Sequence, residues 1–331
     1  MKHSHLFCAA PERIGLRASE SLPLETGELR VAVRVSGISP GTESRCFAGN
    51  QAGAPQEGFI PGYQCAGQVV ESRSSRYGEG DLIFSNGTGR STCPRMWGAH
   101  TSEAIVHESR AFRLPAHAPM TTVALAKLAA IARHGIRMLD LKPTERVAVV
   151  GLGPVGFFSA AILHMQGYHP VGFDVSGTRC KLFQALGGQA VKVDPATPLA
   201  DQVAHAAHPD VIVDATGVPA LLQQLLQAGP DLPWGETLHP GLRLVVQGSY
   251  PAEVRFDYDT AFTREVTLLF PRDNTPNDLR DVLGWMCDGR LRLPERAVEL
   301  VQPDDAQAVY THLRDDRVLS KVFSWRDAST V

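Results

Sequence analysis

The residues most able to do chemistry lie in VAVVGLGPVGFFSAA, positions 147–161. A run of apolar residues ends at Gly151, Gly153 and Gly156, with Pro154 and Val155 opening an apolar stretch of helical composition. The first glycine permits a tight turn, the second lets main chain approach a pyrophosphate, and the third lets helix pack closely on strand. Backbone N–H groups at the start of the helix then face an anionic group, which the helix dipole also favours. Asp174 follows Gly151 by 23 residues, at the end of the strand-like run HPVGFD. A carboxylate there accepts hydrogen bonds from a ribose diol and repels a 2′-phosphate. Together these residues predict a dinucleotide site that prefers NAD(H) to NADP(H). Arg179 would soften that preference if turned inward; read as a solvated helix arginine, it would not. The bland alternative is a strand–helix turn in a flavodoxin-like domain that holds no nucleotide.

Such a loop needs a parallel sheet behind it, and the surrounding sequence supplies one. After an amphipathic helical stretch, Thr121 to Leu139, apolar strand-like runs alternate with helical segments: VAVVG, HPVGFD, VKVD, VIVDATG and RLVVQG. That alternation marks a sheet wrapped by helices. Thr216 and Gly217 end one of these runs and Gly248 ends another, so all three should touch the cofactor. Before residue 120 the pattern differs. Short β-like runs at Arg30–Ser36, Ala66–Glu71, Asp81–Ser85 and Ala104–His107 are separated by turn clusters such as SPGTES and SNGTGR. After the sheet come a helix near Asp278–Cys287, a strand near Ala297–Val301, a helix near Asp304–Leu313 and a last strand, Leu319–Trp325.

A chain of 331 residues suits two domains. With 44% hydrophobic and 20% charged residues it reads as an ordinary globule rather than a disordered or fibrous one. The formal charge of −3, without long runs of one sign, gives no support to a nucleic-acid partner. The six cysteines are scattered and contain no Cys-x-x-Cys pair, which fits reduced thiols in a cytoplasmic protein. The longest apolar run, Val147 to Leu163, is interrupted by glycines and a proline, and no membrane segment is expected.

Several segments occur in an order that resembles the medium-chain dehydrogenase/reductase superfamily, alcohol dehydrogenase-like. They are SGISPGTES, FIPGYQCAGQVV, GEGD, WGAHTSEAIV, VVGLGPVG, DATG, VVQG and LSKVFSW, and the resemblance covers nearly the whole chain. Within it the chain is most similar to zinc-less members of the bacteriochlorophyllide a dehydrogenase type. These share SGIS-x-GTE, PGY-x-x-AG, an LAA-x-ARH helix and a closing Trp-Arg. The resemblance implies an α/β architecture, a Rossmann doubly wound parallel sheet inserted in a GroES-like β domain. Residues 1–120, completed by 292–331, would form the GroES-like catalytic domain, and 121–291 the dinucleotide-binding domain. It also implies a small-molecule substrate bound between the domains and a homodimer joined at a sheet edge. The segment 238–250 would contain or border that edge, with loop 229–241 at the interface or over the cleft.

Zinc-dependent members place a Cys, a His-Glu pair and a further Cys or Glu around the metal. Here those positions carry Ser39, Tyr63 with Gln64, and Ala126 with Lys127 beside it. A catalytic zinc takes about three N, S or carboxylate ligands, which these side chains do not supply. The family's four-cysteine structural lobe is reduced to Cys93. No metal is therefore expected. Without one, hydrogen-bond donors must hold the reacting oxygen while hydride moves to or from the nicotinamide. Tyr63, Ser39 and Thr42 are the candidates, with Tyr63 foremost: a phenol of ordinary pKa about 10 exchanges a proton more readily if a cation such as Lys127 lies near. Alternatively, Tyr63 merely fills the space that metal and ligand vacated. His134, beside Arg133, offers a proton relay, a packing role or a role on the phosphate side. Glu43 reads as support for the site's backbone, and Lys321 matches a basic position that pairs with pyrophosphate. The expected activity is a zinc-independent, NAD(H)-linked interconversion of a secondary alcohol and a ketone on a bulky substrate. The competing readings are an NAD(P)H-dependent reductase of enone or quinone C=C bonds and a non-catalytic dinucleotide-binding protein.

Overall fold

The computed structural model describes residues 2–230, 232–235, 241–250, 253–313 and 317–325. The chain divides into two compact units, one formed by residues 1–127 with 283–331 and the other by 128–282. The first opens with β1 (Lys2–Ala10), β2 (Arg13–Glu20) and β3 (Glu28–Gly37), then α1 (Pro40–Phe47). It continues with β4 (Cys65–Ser72), β5 (Leu82–Ser85), β6 (Glu103–His107), β7 (Phe112–Leu114), α2 (Met120–Val123) and the start of α3 (Ala126–Met138). The second unit holds β8 (Val147–Val150), α4 (Pro154–Met165), β9 (Val171–Asp174), α5 (Gly177–Gln184), β10 (Gln189–Lys192) and α6 (Leu199–Ala207). β11 (Val211–Asp214), α7 (Pro219–Gln227), β12 (Arg243–Val246), α8 (Tyr258–Thr263), β13 (Thr267–Leu269) and most of α9 (Pro276–Cys287) complete it. The chain then returns to the first unit with β14 (Val298–Val301), α10 (Ala306–Thr311) and β15 (Ser320–Ser324).

In the second unit all six strands run parallel in the order β10-β9-β8-β11-β12-β13. The chain winds outward from β8 to one edge, then from β11 to the other. This is the doubly wound Rossmann topology, and its switch point lies between β8 and β11. VAVV and VIVD are buried at every position because helices cover both sheet faces. β12 has neighbours on both sides, so the strand at that edge is β13. Residues 231 and 236–240 of the expected interface loop, and 251–252 after it, lie outside the described residues.

The first unit is built on β3. β15, β4 and β6 all pair with it antiparallel; the strand order is β14-β15-β3-β4-β5-β7, with β6 on β3 off this path. Leu29, Val31 and Val33 of β3 pack with Cys65, Val69, Ile83, Ala104 and Val106. β1 and β2 form a separate hairpin, whose irregular polarity gave the sequence no clear strand signal. SPGTES, expected as a turn, starts a helix. Ser39 is its N-cap and Pro40 sits in its first turn, where a fixed φ suits the helix and the missing N–H costs nothing. The stretch 121–139 is likewise two helices. Gly37 has no side chain, and an added methyl would overlap the Ala124 carbonyl between α2 and α3. That break therefore rests directly on β3.

All six cysteines are free thiols, and burial pushes Cys46 up to about 12, leaving it inert. No described helix is long and apolar enough to cross a membrane.

Candidate active site

In the Rossmann unit, Gly151 takes φ +84°, the left-handed turn that ends β8. An added methyl on Gly156 would overlap the Gly151 carbonyl, while one on Gly153 would meet nothing within 4 Å. Two glycines thus serve the turn's own packing, and Gly153 leaves its backbone open to a ligand. Gly153 is the N-cap of α4 and makes no side-chain cap, so Pro154, Val155 and Gly156 present a bare helix start. Asp174 closes one side. Its carboxylate accepts Leu152 N–H at 2.7 Å and Ser176 N–H at 2.8 Å, which fixes its direction at 6% exposure. Arg179 turns to this carboxylate, 3.6 Å away, rather than outward to solvent. Thr216 bonds to Asp214, and Gly217 abuts the loop carrying Gly248. An open glycine backbone, a bare helix start and an oriented carboxylate fit a dinucleotide.

His134, on α3, is committed elsewhere. Its Nδ1 lies 3.0 Å from Asp278, which also takes Arg137 at 3.0 Å and Thr275 Oγ at 2.7 Å. Thr275 and Asp278 form a reciprocal cap at the start of α9. These donors hold the Asp278 carboxyl down at about 2, against its burial. The cluster ties His134 Nδ1 to Asp278 at the start of α9.

In the other unit, a buried polar chain runs beneath Ser39 and Tyr63. Trp325 Nε1 donates to Ser36 Oγ at 2.8 Å, and Ser36 Oγ lies 2.8 Å from His100 Nδ1. His100 Nε2 lies 2.8 Å from Glu43 Oε2, which also accepts the Tyr310 hydroxyl. Glu43 Oε1 accepts Ser39 N–H at 2.8 Å. One direction of donation satisfies every group: Ser36 to His100, His100 to a Glu43 carboxylate. His100 and Glu43 are 0% exposed, and burial beside Glu43 holds the Tyr310 phenol well above its ordinary range. His100 also supports Tyr63. Ala99 N–H and His100 N–H bond to the carbonyls of Gly62 and Pro61, and a methyl on Gly62 would strike the His100 ring. Trp97, in the left-handed region at φ +67°, sets its ring edge-on to Tyr63 at 5.4 Å. Ser39, Glu43, His100 and Tyr63 are thus one assembly.

Thr42 lies on α1 within 3.4 Å of Arg45 Nη2, and Lys127 is nearly buried on the first turn of α3. Lys321 sits on β15 with Nζ 3.5 Å from Glu299 of β14, and this ion pair within its own sheet is the contact the structure gives it. Glu43 was legible from its motif. Gln64 and His100 stand in the segments FIPGYQCAGQVV and WGAHTSEAIV, whereas Tyr310 carried no motif or spacing to find it by.

A zinc ion does not fit the residues at the family's ligand positions. Ser39, Tyr63, Gln64 and Ala126 offer hydroxyls, an amide and a methyl. Gln64 is fully buried, with neither amide atom hydrogen-bonded, and a neutral amide is a poor partner for a dication. Among the described residues, no three His, Cys, Asp or Glu side chains cluster as a metal site.

No family model matches the chain. The 2-desacetyl-2-hydroxyethyl bacteriochlorophyllide A dehydrogenase of Rhodobacter capsulatus is 30% identical over 312 residues, 91% of each chain. The chain belongs to the medium-chain dehydrogenase/reductase superfamily. With its relatives in that superfamily it is an alcohol dehydrogenase-like oxidoreductase. Two solved structures share the superfamily fold at lower identity. A putative zinc-binding dehydrogenase from Sinorhizobium meliloti, bound to NADP, superposes with a TM-score of 0.84 at 18% identity over 98% of this chain and 99% of its own. Acetophenone reductase from Geotrichum candidum, in complex with NAD, does so at 0.82 and 15% over 100% and 98%.

Proposed function

We propose that this protein interconverts a secondary alcohol and a ketone, using NAD(H) and no catalytic zinc. The observation that carries the reading is the pairing of an intact, carboxylate-oriented dinucleotide crevice with hydroxyl and amide side chains where metal ligands would stand. The dinucleotide supplies a hydride donor or acceptor when bound. Gly151, Gly153 and Gly156 with the start of α4 hold its phosphates, and Asp174 receives the adenosine ribose diol. Arg179 beside Asp174 offsets part of the carboxylate's charge, so discrimination against a 2′-phosphate is a matter of degree.

Alcohol oxidation releases a hydride from carbon and a proton from oxygen. Tyr63, as the phenolate, takes that proton, and in reduction the resulting phenol gives it back to the carbonyl oxygen. Ser39 and Thr42 donate to the same oxygen. Lys127 supplies positive charge from the first turn of α3. Glu43 and His100 act only through the backbone they hold. The Rhodobacter relative's name points to a hydroxyethyl group on a large ring system, and an aromatic-flanked Tyr63 suits such a substrate.

The test is a titration of chelator-treated protein with NADH and NADPH, followed by turnover of secondary alcohols, ketones and enones. Tighter NADH binding and turnover of an alcohol or ketone without added metal are expected. Tyr63→Phe should lower turnover at least about 100-fold, the usual worth of a general acid–base, with NADH affinity unchanged. Full turnover in that variant removes Tyr63 from the mechanism, and activity that returns only with zinc overturns the metal-free reading. Preferential enone reduction would reassign the reaction to C=C bonds. Dinucleotide binding with no turnover of any class would mark a non-catalytic protein.

A further inference from the structure

Two loops of the Rossmann unit are held together by one residue that the proposed reaction does not use. Asp214 ends β11 and is 0% exposed. Its Oδ1 accepts Thr216 N–H at 3.1 Å and Thr216 Oγ–H at 2.7 Å, and its Oδ2 accepts the hydroxyl of Tyr250. Its main-chain oxygen takes Gln247 N–H at 2.8 Å and Gly248 N–H at 2.9 Å. One residue therefore binds its own loop, 215–218, and the loop after β12, 247–250. The loops also touch directly. A methyl on Gly248 would lie 2.5 Å from Gly217 N, and one on Gly217, itself at φ +67°, 3.0 Å from Ser249 O. Burial pushes the Asp214 carboxyl up to about 6, so holding it as a carboxylate is costly and the donors offset that cost. Both loops leave the carboxyl ends of adjacent parallel strands, β11 being next to β8 and its phosphate turn, where ligands of such sheets bind.

We propose that Tyr250 and Asp214 form a clasp that positions loops 215–218 and 247–250 for the dinucleotide. Tyr250 is a positioning residue, acting through Asp214. The inference rests on the dinucleotide reading above and adds to it a determinant outside the glycine motif.

Tyr250→Phe removes one hydroxyl and keeps the ring. NADH should bind about tenfold more weakly, the low end of the worth of one hydrogen bond to a charged group, and amides of 216–218 and 248–250 should exchange faster with deuterium. Asp214→Asn is the conservative rescue: its Oδ1 still accepts from Thr216, and its Nδ2 donates to the Tyr250 oxygen. NADH affinity in that variant should stay within about twofold of wild type. Asp214→Leu, which offers neither group, should behave like Tyr250→Phe or worse. Wild-type NADH affinity and exchange in Tyr250→Phe would overturn the clasp while leaving the dinucleotide reading intact. A wild-type protein that binds neither NADH nor NADPH would overturn both.

Discussion

Glu43 takes three donors on two oxygens, and none comes from a residue nearer than four positions away. Among the described residues no Lys or Arg pairs with this buried carboxylate, so its hydrogen bonds must do what a counter-ion would otherwise do. His100→Phe keeps a flat ring against Gly62 but withdraws one donor from Glu43 and leaves Ser36 without its acceptor. It should cost about 2–4 kcal/mol in urea unfolding. A loss below about 0.5 kcal/mol would mean that the polar chain is not the support described. The sequence showed the near end of this chain and hid the far end. Glu43 stands in SGISPGTES, four residues after Ser39, where a local motif can point to it. His100 and Tyr310 lie 57 and 267 residues away, and pairings at that separation leave no periodicity.

At the scale of elements, the phosphate turn separates folding from binding within six residues. Gly156→Ala would force helix α4 off the Gly151 carbonyl and should lower stability by about 2 kcal/mol or more, as overpacking does. Gly153→Ala meets no neighbour, so thermal stability should hold while NADH affinity falls about tenfold or more. Thermal melts and NADH titrations of the pair check this; equal effects on both quantities would remove the distinction. The strands here were readable because a parallel sheet buried on both faces demands unbroken apolar runs such as VAVV and VIVD. Helix boundaries were not. The split between α2 and α3 is imposed by Gly37, more than 80 residues upstream, and SPGTES reads as a turn because Ser, Pro and Gly serve caps and turns alike.

For the whole molecule, His5, Asp214 and Asp278 are among the perturbed groups that shape stability against pH. Burial without a hydrogen-bond partner, with His3 and Arg17 adding positive charge, lowers His5 to about 4. A base depressed on folding contributes fully above about 6.5, and its contribution is lost as pH falls toward 4. Asp214, raised to about 6, does the opposite: wild type gains stability as pH falls from about 6 to 4. Asp278, held at about 2, loses its contribution only as pH drops below about 4. Asp214 opposes His5, while His3, which burial also lowers, sides with His5, so wild type should lose stability only gently as pH falls from 6.5 to 4. Asp214→Asn should expose the His5 slope, with the unfolding midpoint falling as the solution is acidified over that window. A profile no steeper in the variant than in wild type would show that Asp214 does not offset the His5 slope.

The β3 sheet also dictates an order of events during synthesis. Ser36 finds Trp325 across 289 residues of chain, and Glu43 finds Tyr310 across 267. While a ribosome is still making the Rossmann segment, the β3 margin that β15 will cover is bare and Glu43 lacks one of its donors. The Rossmann strands, by contrast, have all their partners before α9 has left the exit tunnel. The nascent chain must therefore carry this sheet without β14 and β15 through most of its translation, with one margin of β3 open to mispairing for that interval.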